Sequence, residues 1–83
     1  MGELFRDIRS RKHYFFSNEG NEPVHIHVRQ AERSAKYWLE RPLRIEYNNK
    51  FSGKELKEIE RIIELNREFI IEKWNENAKL SRG

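Results

Sequence analysis

The C-terminal third of this 83-residue chain carries one long helical pattern, which limits the folds open to so short a sequence. Ser52 and Glu55 have the spacing of a capping box, which marks the start of a helix. Apolar residues then recur at steps of three and four, at Leu56, Ile59, Ile62, Ile63, Ile70 and Trp74. The pattern predicts a helix to about residue 77, with Arg67 on the outward side. A bend is expected at Asn66, whose side chain competes for backbone hydrogen bonds.

Segments upstream of the helix have the alternation or aromatic content that is typical of β-strands. They cover residues 12–17, 24–29, 35–40 and 43–47. Alternation places Leu43, Ile45 and Tyr47 on one face of the last strand. We therefore predict an α+β fold, in which three or four antiparallel strands are covered on one face by the long C-terminal helix.

Size and composition restrict the class of protein. Residues 1–83 are expected to form one domain, with an arm over residues 1–11 and a loose tail over residues 78–83. No apolar run is long enough to span a membrane, and residues 1–6 lack the apolar region that is expected of a signal peptide. The absence of cysteine excludes disulfides and is consistent with a cytoplasmic location. The net charge of +3 disfavours tight binding to duplex nucleic acid, although basic residues cluster at Arg6, Arg9, Arg11 and Lys12.

Two histidines separated by one residue define the candidate site. In a strand, His25 and His27 lie on one face while Ile26 and Val28 lie on the other. A hairpin that turns at residues 32–33 would place His25 opposite Glu40 and His27 opposite Trp38. The expected face then contains His25, His27, Arg29, Lys36, Trp38 and Glu40.

This face is consistent with four roles. His25, His27 and Glu40 have the donor types of a catalytic zinc or iron site, but His-x-His alone is a weak signal and no cofactor is otherwise expected. The two histidines can instead act as acid and base in a small nuclease. In a binding site, Trp38 can stack on a base while the histidines, Arg29 and Lys36 meet phosphate. In the fourth role these residues are semi-buried structural groups.

Two further sets of apolar residues have alternative roles. Tyr14, Phe15 and Phe16 can form an aromatic platform, although adjacent aromatic residues in a strand usually contribute one or two rings to the core. The helical stripe is wider than a small sheet can cover. Leu65, Phe69 or Trp74 should therefore remain partly uncovered, which predicts self-association or a protein partner.

Several segments together resemble a bacterial family of small domains of unknown function. They are residues 15–28 (Phe-Phe-Ser-Asn-Glu-Gly-Asn-Glu-Pro-Val-His-Ile-His-Val), 35–40, 51–56 and 72–74. Members of the family read Glu-x-Pro-Pro-His-x-His-Val, where this chain has Val24 in place of the second proline. The resemblance extends over residues 4–76 and implies no established activity. It also implies a pairing with a second small domain, in an arrangement similar to toxin–antitoxin modules.

These observations lead to three functional hypotheses. The first is a small cytoplasmic binding module that acts with a small protein partner, or as a homodimer, on nucleic acid and not at a membrane. The second is a small nuclease that uses His25 and His27 as acid and base or, with Glu40, as metal ligands. The third is a purely structural, dimerising domain.

Overall fold

The computed structural model describes residues 13–17 and 23–81. The elements are β1 (Tyr14–Phe16), β2 (His25–Gln30), β3 (Arg33–Trp38), β4 (Arg44–Asn49), α1 (Gly53–Leu65) and α2 (Arg67–Ser81). All four strands form one antiparallel sheet in the order β1-β2-β3-β4, so the predicted α+β fold is confirmed. The predicted arm over residues 1–11, the basic cluster and residues 18–22 lie outside the described residues.

The core lies between one face of the sheet and the two helices. Its buried members are Phe15, Ile26, Val28, Ala35, Tyr37, Phe51, Ile59, Ile63 and Ile70. The Tyr37 hydroxyl donates a hydrogen bond to Glu60 Oε2 at 2.8 Å, which joins β3 to α1. Burial, together with this bond to a carboxylate, raises the pKa of Tyr37 above its usual value. On β2, the side chains of Ile26 and Val28 are the ones buried in this core, as alternation predicts.

The β2–β3 hairpin turns one residue earlier than predicted, at Ala31 and Glu32. His25 consequently pairs with Trp38 and His27 with Lys36, so the predicted register is wrong by two residues. Ala31 has a φ of 55°, a backbone conformation that Gly or Asn usually adopts in two-residue hairpin turns. The sequence lacks that turn signal. A shift of two residues preserves the faces of both strands, because the side-chain period is two.

Strand β4 contains a bulge that redirects its second half. Lys36 pairs with Tyr47, whereas the next residue, Tyr37, pairs with Ile45, which leaves Glu46 as the extra residue. Tyr47 therefore lies on the same face as His27 rather than with Ile45, and the predicted shared face is wrong at this position. The strand also continues to Asn49, two residues beyond the predicted end at residue 47.

Both local predictions for the helix are confirmed. Ser52 Oγ accepts a bond from the Glu55 amide at 3.2 Å, and Glu55 Oε1 accepts one from the Ser52 amide at 2.9 Å. The helix is interrupted at Asn66, whose Nδ2 donates to the Ile62 carbonyl at 2.8 Å. The backbone of α2 continues to Ser81, beyond the predicted end. No helix within residues 13–17 and 23–81 combines the length and the apolar character that crossing a membrane requires.

Candidate functional site

The sheet face opposite the core, called here the outer face, is arranged in three rows that run across the strands. One row contains Tyr14, Arg29, Ser34 and Asn49. The middle row contains Phe16, His27, Lys36 and Tyr47. The third row contains His25, Trp38 and Arg44. Neighbouring strands lie about 4.8 Å apart and successive rows roughly 7 Å apart, so these side chains are immediate neighbours.

His25 is buried at the end of β2, with 2% of its surface exposed. Its Nδ1 lies 3.0 Å from the Pro23 carbonyl oxygen, which can only accept, so Nδ1 is the donor of this hydrogen bond. The ring packs edge-on against Trp38, His27 and Trp74, with centroid distances of 5.6, 5.2 and 4.9 Å. Trp74 belongs to α2, so the second helix contributes one of the rings that bury His25. His25 thus has the surroundings of a structural group rather than of a surface ligand.

His27 lies in the middle row and is only partly buried. Its ring stacks on Phe16 with a centroid distance of 4.9 Å and an interplanar angle of 11°. Its Nδ1 lies 3.5 Å from the Tyr47 hydroxyl oxygen, at the limit of a hydrogen bond. Stacking and this contact fix the orientation of the imidazole beside Lys36.

Two cationic side chains lie against the ring of Trp38. Lys36 Nζ lies 4.4 Å and Arg44 Cζ 5.4 Å from its ring centroids. The indole Nε1 donates to Glu46 Oε1 at 2.7 Å, which fixes the plane of the ring. Each cation–π contact at a solvent-exposed site contributes about 0.5–1 kcal/mol, so the cations can leave the ring when a ligand competes.

Arg29 repeats this arrangement at the other end of the outer face. Its Cζ lies 5.7 Å from the ring centroid of Tyr14 and 5.4 Å from that of Phe16. Aromatic rings and guanidinium or ammonium groups therefore alternate along the face. Flat rings can stack on other flat rings, and the cations between them can bind anions.

Glu40 does not pair with His25, contrary to the predicted register. It follows β3, and its two carboxylate oxygens accept bonds from Arg44 Nε and Nη2 at 3.0 and 2.9 Å. The Arg44 guanidinium holds the pKa of Glu40 below its usual value. Within the part of the chain that the structure describes, no three His, Asp or Glu side chains are arranged to hold a metal ion. The predicted combination of His25, His27 and Glu40 is therefore not assembled there.

Arg67 is buried, with 6% of its surface exposed, although the helical pattern predicted an outward position. Its Nη1 and Nη2 donate to the carbonyl oxygens of Leu39 and Glu40 at 3.3 and 2.8 Å. Nε and Nη2 also donate to the two carboxylate oxygens of Glu64 at 2.9 and 2.8 Å. Arg67 thus connects α2 to the residues that directly follow Trp38.

The sequence identified part of this site and missed the rest. Arg29, His27, Lys36 and Trp38 lie together on the outer face as expected, whereas His25 is buried and Glu40 lies beyond the end of β3, hydrogen-bonded to Arg44. The sequence also raised Tyr14, Phe15 and Phe16 as a platform. Tyr14 and Phe16 lie on this face, whereas Phe15 enters the core. The missed residues are Arg44, Glu46 and Tyr47. Nothing in the sequence around Tyr47 indicates that its side chain lies on the outer face, because only the bulge turns it outward.

Comparison with known proteins adds a family but no function. No curated protein and no solved structure matches this chain. A family model described as Domain of unknown function (DUF4160) matches residues 12–75, which include all four strands, α1 and the first half of α2. The match covers most of the sequence and every residue of the outer face. The chain therefore belongs to the DUF4160 family of domains of unknown function.

Proposed function

We propose that this protein is a small cytoplasmic binding module that holds single-stranded nucleic acid on the outer face and acts with a small protein partner. The observation that carries the proposal is the alternation of aromatic rings and cations across that face. Tyr14 and Trp38 offer stacking surfaces, the ring of Phe16 stacks on those of Tyr14 and His27, and Arg29 and Lys36 lie beside these rings. Sheets that bind single strands combine the same two features.

Single strands fit this face better than duplexes for two physical reasons. A flat aromatic ring can stack only on a base that has left its own stack, which a duplex does not offer. The net charge of +3 also provides few phosphate contacts, whereas duplex binding depends strongly on many of them. Stacking contributes about 1–3 kcal/mol per base, so a few rings compensate for a modest charge.

Trp38→Ala should weaken binding of a short, labelled 2′-O-methyl oligouridine by about 10- to 100-fold, because one stacked base is lost. Trp38→Phe should retain most of the affinity, since it keeps an aromatic ring and loses only the bond to Glu46. Leu65→Ala, at an exposed helical position away from the sheet, is the control. Fluorescence anisotropy gives the three affinities. Equal affinity for all variants, or a preference for duplex of the same sequence, would contradict the proposal.

The partner in this proposal is a second small protein, encoded beside this one in a toxin–antitoxin-like pair. The family resemblance supports such a pairing in bacteria. The position of β4 also supports this pairing. It is the last strand of the sheet, and the edge of β4 that faces away from β3 pairs with no strand in the described part of the chain. All six residues of β4 are exposed, and Ile45 remains 40% exposed. An uncovered edge of this kind accepts an added strand from another chain.

Ile45→Lys should prevent co-purification with the product of the adjacent gene, because a charge on the edge disfavours strand addition. Leu65→Lys is the matched control, since it makes the same change at another exposed apolar residue. Co-expression followed by size-exclusion chromatography measures complex formation. If the isolated chain sediments as a dimer that Ile45→Lys dissociates, the partner is a second copy. If Leu65→Lys alone breaks the complex, the interface lies on the helices and not on β4.

A further inference from the structure

We propose that β4 of a second copy of this chain occupies the edge of β4 when the product of the adjacent gene is absent. The two strands pair antiparallel in a register centred on Ile45, with Arg44 of each copy opposite Glu46 of the other. This inference rests on the proposed function, because that proposal places strand addition at this edge. It goes further by naming the strand that is added and the residues that determine its register.

The edge of β4 is accessible to a second chain. This strand is the last in the sheet order, and its edge away from β3 pairs with no strand in residues 13–17 and 23–81. All six residues of β4 are exposed, which includes Ile45 at 40%. An added strand would pair the backbone groups of this edge and cover the exposed isoleucine at the same time.

The first half of β4 alternates regularly between the two faces of the sheet. Arg44 pairs with Trp38 on the outer face. Ile45 pairs with Tyr37, whose side chain belongs to the core. Glu46 Oε1 accepts a hydrogen bond from Trp38 Nε1, so Glu46 lies on the outer face again. Because directly opposite residues of antiparallel strands share a face, this segment has the alternation needed to pair with its own copy.

Charge selects one register of this pairing. A two-fold axis at Ile45 places Arg44 opposite Glu46 of the second copy, and the symmetry forms the same ion pair a second time. An axis at Arg44 would place two arginines opposite each other, and an axis at Glu46 would oppose two glutamates. Like charges that lie directly opposite are destabilising, whereas opposite charges stabilise the pair of strands.

Registers centred farther along β4 are less favourable for other reasons. An axis at Tyr47 would place Glu46 opposite Asn48, although Asn48 pairs with Ala35 on the core side and Glu46 lies on the outer face. The bulge causes this mismatch, because it interrupts alternation after Glu46. An axis at Asn48 would bring two amides together, form no arginine–glutamate pair and leave Ile45 outside the centre of the paired segment.

The hydrogen-bonding groups of Arg44 and Glu46 complement each other across the axis. Arg44 donates to Glu40 from Nε and Nη2 at 3.0 and 2.9 Å, and Glu46 accepts from Trp38 through Oε1 at 2.7 Å. Within the residues that the structure describes, Arg44 Nη1 and Glu46 Oε2 have no hydrogen bond. A bond from Nη1 to Oε2 of the second copy therefore adds to the existing bonds and replaces none of them.

Self-pairing would also extend the outer face. A two-fold axis perpendicular to the sheet joins the two four-stranded sheets into one continuous sheet and keeps both outer faces on the same side. Trp38 lies on β3, so the Trp38 rings of the two copies would be separated only by the paired β4 strands. The dimer would then present two sets of aromatic rings and cations on one surface.

The test is sedimentation velocity of the isolated full chain at about 100 μM, where a weak edge-to-edge dimer is populated. The wild type should form a dimer. Arg44→Glu places acidic residues opposite each other, and Glu46→Arg does the same with basic residues. Each variant alone should therefore self-associate at least about 10-fold more weakly. An equimolar mixture of the two variants should regain the wild-type affinity, because every acidic residue then faces a basic one.

The mixture also controls for folding, since a variant that has lost its fold could not regain association when a second variant is added. Leu65→Lys, which changes an exposed apolar residue on α1, should dimerise like the wild type. If the dimer forms but the mixture does not restore it, the proposed register is wrong. If only Leu65→Lys dissociates the dimer, the interface lies on the helices and the inference is overturned.

Two further outcomes separate this inference from the proposed function. If the isolated chain is a monomer at about 100 μM, self-pairing is wrong, because even a weak edge-to-edge dimer would be detected. Strand addition still stands in that case, provided that co-expression with the adjacent gene yields a complex that Ile45→Lys prevents. If neither the dimer nor that complex forms, the partner named in the proposed function fails together with this inference.

Discussion

Arg67→Ala should lower the free energy of unfolding by about 3 kcal/mol, because the variant leaves several buried groups without their partner. Arg67 donates to the Leu39 and Glu40 carbonyls and to both oxygens of Glu64. The Glu64 side chain is half-exposed, so water can replace most of its ion pair. The larger share of the loss therefore arises from the two carbonyl groups and from the cavity that the missing side chain leaves.

The same variant should respond differently to acid. Arg67 holds the pKa of Glu64 below its usual value through a direct hydrogen bond. A lowered folded-state pKa contributes stability above the usual glutamate pKa of about 4.3, and that contribution is lost as the pH falls through the folded value. The difference between wild type and Arg67→Ala should therefore be smaller near pH 3 than near pH 7. Urea denaturation at the two pH values measures this difference.

Two further variants sharpen the Arg67 experiment. Arg61→Ala removes an exposed arginine from α1 and should change the free energy of unfolding by less than about 0.5 kcal/mol. Arg67→Lys keeps the charge but not the forked geometry, so it should recover only part of the loss. Equal effects of Arg67→Ala and Arg61→Ala would show that the buried contacts contribute little.

The parts of the fold that local chemistry determines could be predicted from the sequence. The capping box depends on two residues three positions apart, and the interruption at Asn66 depends on one amide side chain. The faces of β2 and β3 were also predictable, since each of these strands alternates by itself. Because the hairpin register slipped by an even number of residues, the prediction that His27, Lys36 and Trp38 share a face survived the error.

The remaining features depend on contacts between distant residues. Ala31 adopts a positive φ, which cannot be predicted from an alanine. Because the hairpin turns there, Trp38 and not Glu40 pairs with His25. The bulge at Glu46 is visible only when β3 and β4 are paired. Arginine side chains are almost always exposed. Arg67 is buried because the carbonyl oxygens of Leu39 and Glu40 accept its hydrogen bonds, and these residues are distant in the sequence. No periodicity within the helix identifies such partners.

Trp74→Ala should lower the free energy of unfolding by roughly 2–3 kcal/mol, less than the full cost of a completely buried tryptophan because the side chain is only partly buried. The helical stripe left two roles open for Trp74, as a core residue or as an uncovered residue that meets a partner. Its ring lies 4.9 Å from the centroid of His25, and His25 in turn contacts Trp38. Loss of Trp74 should therefore expose His25 and loosen the position of Trp38.

Two measurements separate these roles. Urea denaturation followed by circular dichroism gives the stability of Trp74→Ala beside Asn75→Ala, an exposed neighbour that should behave like the wild type. Anisotropy with the 2′-O-methyl strand should show weaker binding by Trp74→Ala at a urea concentration where it remains folded, because stacking on Trp38 requires a fixed ring. If Trp74→Ala is as stable as Asn75→Ala and loses only the complex with its protein partner, Trp74 is an interface residue. In that case α2, and not the edge of β4, is where the partner binds.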